Sequence, residues 1–186
     1  VATGSKPNRL GVPGEDKFVS RGISYCATCD GAFYQDGDVY VIGGGNSAVE
    51  EALYMANLGA KVTIVHRRDS FRAERFLAEK ALAHENISVM WNTELKEVLG
   101  ENMADGLVLY NNKTDETFTA KKGDRPMGIF IYVGVKPQTE FLEGLLELNR
   151  GYVKVDENQM SAVDGVYAAG DIVDKNFRQV INACGE

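Results

Sequence analysis

The sequence predicts an α/β fold: a parallel sheet wound through helices and capped by an antiparallel meander. Three observations carry that prediction. First, two apolar runs, residues 39–42 and 62–65, flank a glycine-rich turn and a segment with helical spacing. Second, those runs are apolar on consecutive residues, as expected of parallel strands covered on both faces. Third, from Thr93 to Lys121 the alternation stops. Three short segments (94–99, 106–110 and 116–120), separated by turns rich in Gly, Asn and Asp, take its place.

The first crossover is the most informative stretch. Between the apolar runs, Gly43, Gly45 and Ala48 fill the small-residue positions of G-x-G-x-x-G/A, followed by a helical segment to Leu58. Val49, Ala52, Leu53 and Ala56 fall at i, i+3, i+4 and i+7, one apolar stripe suited to lie on a sheet. Gly59 stands where a left-handed residue stops a helix. Strand, glycine turn, helix, strand is the Rossmann-like βαβ unit that binds a dinucleotide. In it, Gly43 permits the tight turn, Gly45 lets the backbone approach the pyrophosphate, and Ala48 allows close helix–strand packing. The helix start at Asn46-Ser47-Ala48 offers free N–H groups to the phosphates. The competing reading is a glycine turn in an α/β protein that binds nothing.

The end of the second run bears on which dinucleotide is held. An NAD site places Asp or Glu there for the ribose hydroxyls. This chain has His66, Arg67 and Arg68, with Arg72 close behind. Guanidinium forks suit a 2′-phosphate. One such charged hydrogen bond, at about 1.5–3 kcal/mol, favours NADPH over NADH roughly ten- to a hundredfold. The alternative is a solvated basic segment balanced by Asp69 and Glu74.

Upstream, residues 7–18 hold two prolines, two glycines and a run of charge, and read as a connector. Next comes Cys26-Ala27-Thr28-Cys29-Asp30-Gly31. C-x-x-C spacing permits a disulfide and can bring one thiol pKa toward neutrality, so thiol–disulfide exchange is plausible chemistry. Half of a zinc site and a structural pair of thiols are the competing readings; the former lacks further ligands with paired spacing, and no metal is expected. Asp30 beside the pair suits a proton shuttle, although a solvated helix cap fits the same residue.

Downstream of Arg72 the sequence predicts a helix to about His84, a strand over 87–91, then the meander. Residues 121–128 read as a second connector and 129–134 as a strand. A helical segment over 140–148, a strand over 152–155 and a strand over 165–171 ending in Gly170-Asp171 complete the reading.

The composition is that of a globular protein: 44% hydrophobic, 25% charged. A net charge of −7 argues against nucleic acid or an anionic membrane as partner. No apolar run has transmembrane length and no secretory signal opens the chain. Three cysteines, two of them in one motif, suit a cytoplasmic protein. The absence of an initial methionine and the end just after a short helical segment make the sequence read as an excised piece of a longer protein.

Together, Ala2-Thr3-Gly4, Cys26-Ala27-Thr28-Cys29-Asp30-Gly31, Gly43-Gly44-Gly45-Asn46-Ser47-Ala48, His66-Arg67-Arg68 with Phe71-Arg72-Ala73, Gly170-Asp171 and Arg178-Gln179 resemble the low-molecular-weight, bacterial-type thioredoxin reductases, over almost the whole chain. The resemblance implies a Rossmann-like NADPH-binding domain (residues 16–126) inserted in a truncated FAD-binding domain (1–15 and 127–186). It implies that Cys26 and Cys29 form a reversible disulfide, that Asp30 is its acid–base residue, and that Arg67, Arg68 and Arg72 hold the 2′-phosphate of NADPH. Gly170 and Asp171 would contact FAD near its ribityl–phosphate region, with Arg178, Gln179 and Val180 beside the flavin ring. Thioredoxin, or a thioredoxin-like protein, is the implied acceptor, and the parent protein a homodimer. The family's first glycine-rich βαβ unit has no counterpart here, so the piece is expected to bind NADPH, to hold FAD poorly and to be inactive alone. Cys184 is expected to be a buried small side chain. The flavoprotein of alkyl hydroperoxide reductase and a non-catalytic NADPH-binding module are the alternatives.

Overall fold

The computed structural model describes residues 1–175, 178 and 180–186. In chain order its first elements are β1 (Ser5–Pro7), α1 (Glu15–Phe18), β2 (Ile23–Ser24), α2 (Ala27–Asp30), β3 (Asp38–Gly43), α3 (Asn46–Asn57), β4 (Lys61–Val65) and α4 (Arg75–Leu82). Then follow β5 (Ile87–Met90), β6 (Thr93–Gly100), β7 (Ala104–Asn111), β8 (Glu116–Lys121) and β9 (Met127–Tyr132). The last are β10 (Val135–Pro137), β11 (Leu148–Asn149), β12 (Tyr152–Val153) and α5 (Val180–Gly185). Among the described residues no helix is long and apolar enough to cross a membrane.

Two units are formed, residues 9–133 and residues 1–8 with 134–186. The larger holds a five-stranded sheet of order β2-β9-β3-β4-β5, parallel at every pairing. Its strands point successive side chains to opposite faces, which is why their runs are apolar throughout. One face carries Val39, Val41, Val62, Ile64 and Phe130 onto Ala48, Ala52, Met55 and Ala56 of α3. The alanines let the helix lie close, and Gly59, at φ +88°, ends it. The other face carries Ile42, Val65, Ile129 and Ile131 onto Leu95, Val98, Leu107 and Leu109 of the antiparallel meander β6-β7-β8.

The smaller unit pairs β1 with β10 and β11 with β12, both antiparallel, over a core of Leu142, Val153, Ala168, Ile172 and Val173.

Parallel sheet, crossover helix and meander stand where the sequence places them. Several expectations need correction. The strand expected over 129–134 in the second part of the FAD domain is β9, hydrogen-bonded between β2 and β3 in the larger unit. The units accordingly divide at 8/9 and 133/134, not at 15/16 and 126/127. The 140–148 helix is only a 3-10 turn, Glu140–Leu142, because the chain turns left-handed at Gly144, φ +77°. Glycines at positive φ also break the 165–171 strand, at Gly165 and Gly170, leaving Tyr167 in an isolated bridge with Met160. The 7–18 connector contains α1, and Glu15 within it is buried, accepting hydrogen bonds from Leu10 N, Gly11 N and Tyr25 Oη. Cys184 is an exposed free thiol, because α5 buries none of its residues.

Candidate active site

β2 ends at Ser24, and two residues later Cys26, in extended conformation, caps α2. Cys26 and Cys29 are joined by a disulfide. Cys29 is exposed and Cys26 half-buried. The Cys26 sulfur accepts the Cys29 N–H at 3.2 Å and lies 3.3 Å from Thr28 Oγ1. Asp30 closes α2, and its Oδ2 accepts the Ser24 hydroxyl at 2.6 Å. The segment is tied to the sheet a second time, where Ala27 N–H donates to the Tyr132 phenol at 2.7 Å. Burial, reinforced by the Glu51 carboxylate, pushes that phenol well above its ordinary pKa. Among the described residues no three His, Cys, Asp or Glu side chains are grouped to hold a metal ion.

The glycine turn follows β3. At Gly43, φ +150°, a β-carbon would stand 2.4 Å from the Tyr132 carbonyl oxygen and 2.9 Å from Ala48 Cβ. A β-carbon on Gly44 would stand 2.4 Å from the His66 ring. On Gly45 it would meet no atom within 4 Å, so the turn is open there. No side chain caps α3 at Gly45, and Ser47 beside it is exposed. Asn46 looks instead toward α4: its Oδ1 accepts the Glu74 N–H at 2.8 Å and its Nδ2 donates to Glu74 Oε1 at 3.3 Å. The Gly44 carbonyl accepts the N–H groups of Arg72 (2.8 Å) and Ala73 (3.2 Å), which brings Arg72 to the loop.

His66 is buried beneath Gly44, beside the rings of Phe71 and Trp91, with Nε2 3.1 Å from the Ser70 carbonyl. Its pKa is lowered, chiefly by burial and further by the charges of Arg68, Arg72 and Arg67, against the opposing pull of that carbonyl. Arg67, Arg68 and Arg72 are themselves exposed. The meander fixes the backbone at the first two: Asn112 Nδ2 donates to the Arg67 carbonyl (2.9 Å) and Asn92 N–H to that of Arg68 (3.0 Å). Among the described residues none of the three guanidinium groups has an ion-pair partner. Asp69 pairs with Lys113 at 3.5 Å, and Glu74 with Asn46. The two acidic side chains near in sequence thus face other partners, and the carboxylate that feels the Arg67 charge is Glu94, across the meander.

In the smaller unit Gly170, at φ +80°, opens a 3-10 turn and donates its N–H to Glu186 Oε2 at 2.7 Å. Asp171 Oδ2 accepts the Ser5 hydroxyl at 3.3 Å. The Arg178 guanidinium lies 4.1 Å over the Tyr152 ring, with its Nε buried and, among the described residues, without a hydrogen-bond partner. Val180 begins α5 and is exposed. Gln179 lies outside the described residues.

A family profile described as pyridine nucleotide-disulphide oxidoreductase matches residues 1–186. The chain belongs to the pyridine nucleotide-disulphide oxidoreductase family. It is similar to the thioredoxin reductase of Peptoclostridium litorale, with 44% identity over all of this chain and 60% of that protein. To the thioredoxin reductase of Streptomyces coelicolor the identity is 46%, over all of this chain and 57% of that protein. Among solved structures, thioredoxin reductase from Streptococcus pyogenes superposes with a TM-score of 0.84 at 41% identity, over 99% of this chain and 60% of that one. The chain spans about 60% of the length of the curated relatives it matches.

Three residues of this candidate site had no signal in the sequence. Ser24 and Tyr132 hold the C-x-x-C segment, but the first is a lone serine at a strand end and the second lies far downstream. Asn112 supports the arginine segment from across the meander. An exposed disulfide sulfur, a carboxylate held nearby and an open glycine turn beside unpaired guanidinium groups suit two-electron exchange through thiols next to a phosphorylated dinucleotide.

Proposed function

We propose that this chain is part of an NADPH-dependent flavoprotein disulfide reductase that reduces thioredoxin or a thioredoxin-like protein in the cytoplasm. The observation that carries the reading is the common address of three features. The redox pair follows β2, the glycine turn follows β3 and the arginines follow β4, all at the carboxyl edge of one parallel sheet. That edge is where open α/β sheets bind ligands.

The described residues fit NADPH: the turn is open at Gly45, and none of the three guanidinium groups is closed off in an ion pair among the described residues. NADPH held there would supply a hydride, and FAD would be the carrier linking it to the disulfide. Gly43, Gly45 and Ala48 keep the backbone close to the pyrophosphate, and the N–H groups of Asn46, Ser47 and Ala48 face it. Arg67, Arg68 and Arg72 hold the 2′-phosphate, and neutral His66 supports the loop from below. Cys26 and Cys29 open and close as the disulfide, and Asp30 holds and returns the proton. Gly170, Asp171, Arg178, Gln179 and Val180 are assigned to the FAD side, incompletely, so this chain alone holds FAD poorly and turns over negligibly.

Titration with NADPH and NADH tests the nucleotide assignment. Wild type prefers NADPH roughly ten- to a hundredfold, and Arg67→Ala loses most of that preference; an unchanged preference overturns it. Thiol titration before and after a mild reductant tests the redox assignment. Reduction exposes the Cys26 and Cys29 thiols in wild type and yields no such gain in Cys26→Ser; thiols that stay reduced in air overturn it. A flavin spectrum in the purified chain would contradict the weak hold on FAD.

A further inference from the structure

We propose that Ser24 is a positioning residue for the disulfide chemistry: its buried hydroxyl holds the Asp30 carboxylate at the redox pair. The inference rests on the reading of Asp30 as the acid–base residue and extends it to a residue outside the C-x-x-C motif.

Ser24 is buried at the end of β2, in register with Phe130 of β9. A serine hydroxyl has one proton to donate and two lone pairs to accept with. Here Oγ lies 2.6 Å from Asp30 Oδ2 and 3.3 Å from the Cys26 carbonyl, so its proton goes to the carboxylate. It accepts the Cys26 N–H at 3.1 Å. A continuous link therefore runs from the Cys26 backbone through Ser24 to Asp30. Among the described residues no other side chain hydrogen-bonds Asp30. The arrangement anchors the carboxylate to a sheet strand. α2 itself is a poor anchor: it is four residues long, and the Cys26 sulfur that accepts its Cys29 N–H is one of the reacting atoms.

The step in which Ser24 matters is re-oxidation of the pair by an acceptor disulfide. The exposed Cys29 thiolate attacks one acceptor sulfur. The acceptor S–S bond breaks, a mixed disulfide forms and one acceptor thiolate leaves. Asp30 then takes the proton of the Cys26 thiol, the Cys26 sulfur attacks Cys29 Sγ, and the second acceptor thiolate leaves. Asp30 returns its proton to that thiolate. Two electrons pass to the acceptor, the Cys26–Cys29 bond re-forms and Asp30 ends ionised.

Such help matters when the leaving thiolate is basic and little when it is acidic. The test uses the 186-residue chain, reduced and freed of reductant, mixed with oxidised glutathione or with the aromatic disulfide of Ellman's reagent. Positioned acid–base groups contribute roughly a hundredfold or more, so Ser24→Ala is expected to slow the glutathione reaction about tenfold and the Ellman reaction by less than about twofold. Ser24→Thr, which keeps the hydroxyl, restores most of the rate. In an Asp30→Asn background, Ser24→Ala adds less than about twofold, since the two act as one unit. Equal slowing of both acceptors, or full additivity with Asp30→Asn, overturns the role of Ser24. If Asp30→Asn slows the glutathione reaction and Ser24→Ala does not, only this inference falls. If Asp30→Asn has no effect, the acid–base reading falls as well. Thermal unfolding of each variant separates these outcomes from misfolding.

Discussion

His66 carries a depressed pKa because burial, and then three nearby guanidinium groups, disfavour its charged form. The sign of the resulting pH dependence follows from linkage. Above the ordinary histidine value, about 6.5, folded and unfolded states are both neutral there and the contribution to stability is complete. As pH falls below that value the unfolded chain takes the proton first, and stability is lost until the folded histidine protonates too. The melting temperature of the wild type is therefore expected to fall more steeply from pH 7 to pH 5 than that of His66→Gln; parallel curves would refute it. Gly44 and Gly45, adjacent in sequence, are expected to respond differently to alanine. At Gly45 the added methyl meets open space on an extended backbone, so stability stays within about 0.5 kcal/mol while NADPH affinity falls. At Gly44 the methyl drives into the His66 ring, and the strain costs about 1–3 kcal/mol. Urea unfolding and nucleotide titration of the two variants separate these effects.

At the scale of elements, the meander gives the sheet its second covered face. Leu107, fully buried on β7, stands at the centre of that interface. Leu107→Ala is expected to destabilise by about 2–5 kcal/mol in urea unfolding, since it removes buried methyl groups and leaves a cavity. Much of this architecture was legible. α3 declared itself through its stripe of Val49, Ala52, Leu53 and Ala56, and β3 and β4 through their unbroken apolar runs. The meander showed as three short segments between turns rich in Gly, Asn and Asp. The neighbours of β9 were not legible, because a strand's pattern says that it is covered on both faces but not which strands bond to it. The 140–148 segment carries apolar residues at plausible helical spacing, and one left-handed glycine overrides them. At the site, the Cys26–Cys29 pair announced itself by spacing, whereas Asp30 stood out only by following it directly. Ser24 did not, since a serine at a strand end is ordinary until its hydroxyl is seen on a carboxylate.

At the scale of the whole molecule, the division at 8/9 and 133/134 leaves both faces of the five-stranded sheet covered by residues of the larger unit. The disulfide, glycine turn and arginines also lie within it. Residues 9–133 expressed alone are expected to unfold cooperatively and to bind NADPH within about threefold of the full chain, the behaviour of a self-contained domain. A broad, non-cooperative transition would show that the boundary is misplaced. The strand order has one further result, for how the protein is made. β9 is the last strand of its sheet to leave the ribosome, and among the described residues β2 pairs with no other strand. Tyr132, which clasps the segment between the two cysteines, arrives with it. Closing that long loop is a slow, non-local event. Throughout synthesis of the intervening residues the C-x-x-C segment therefore lacks its hydrogen bond to Tyr132, which forms only once β9 has been made.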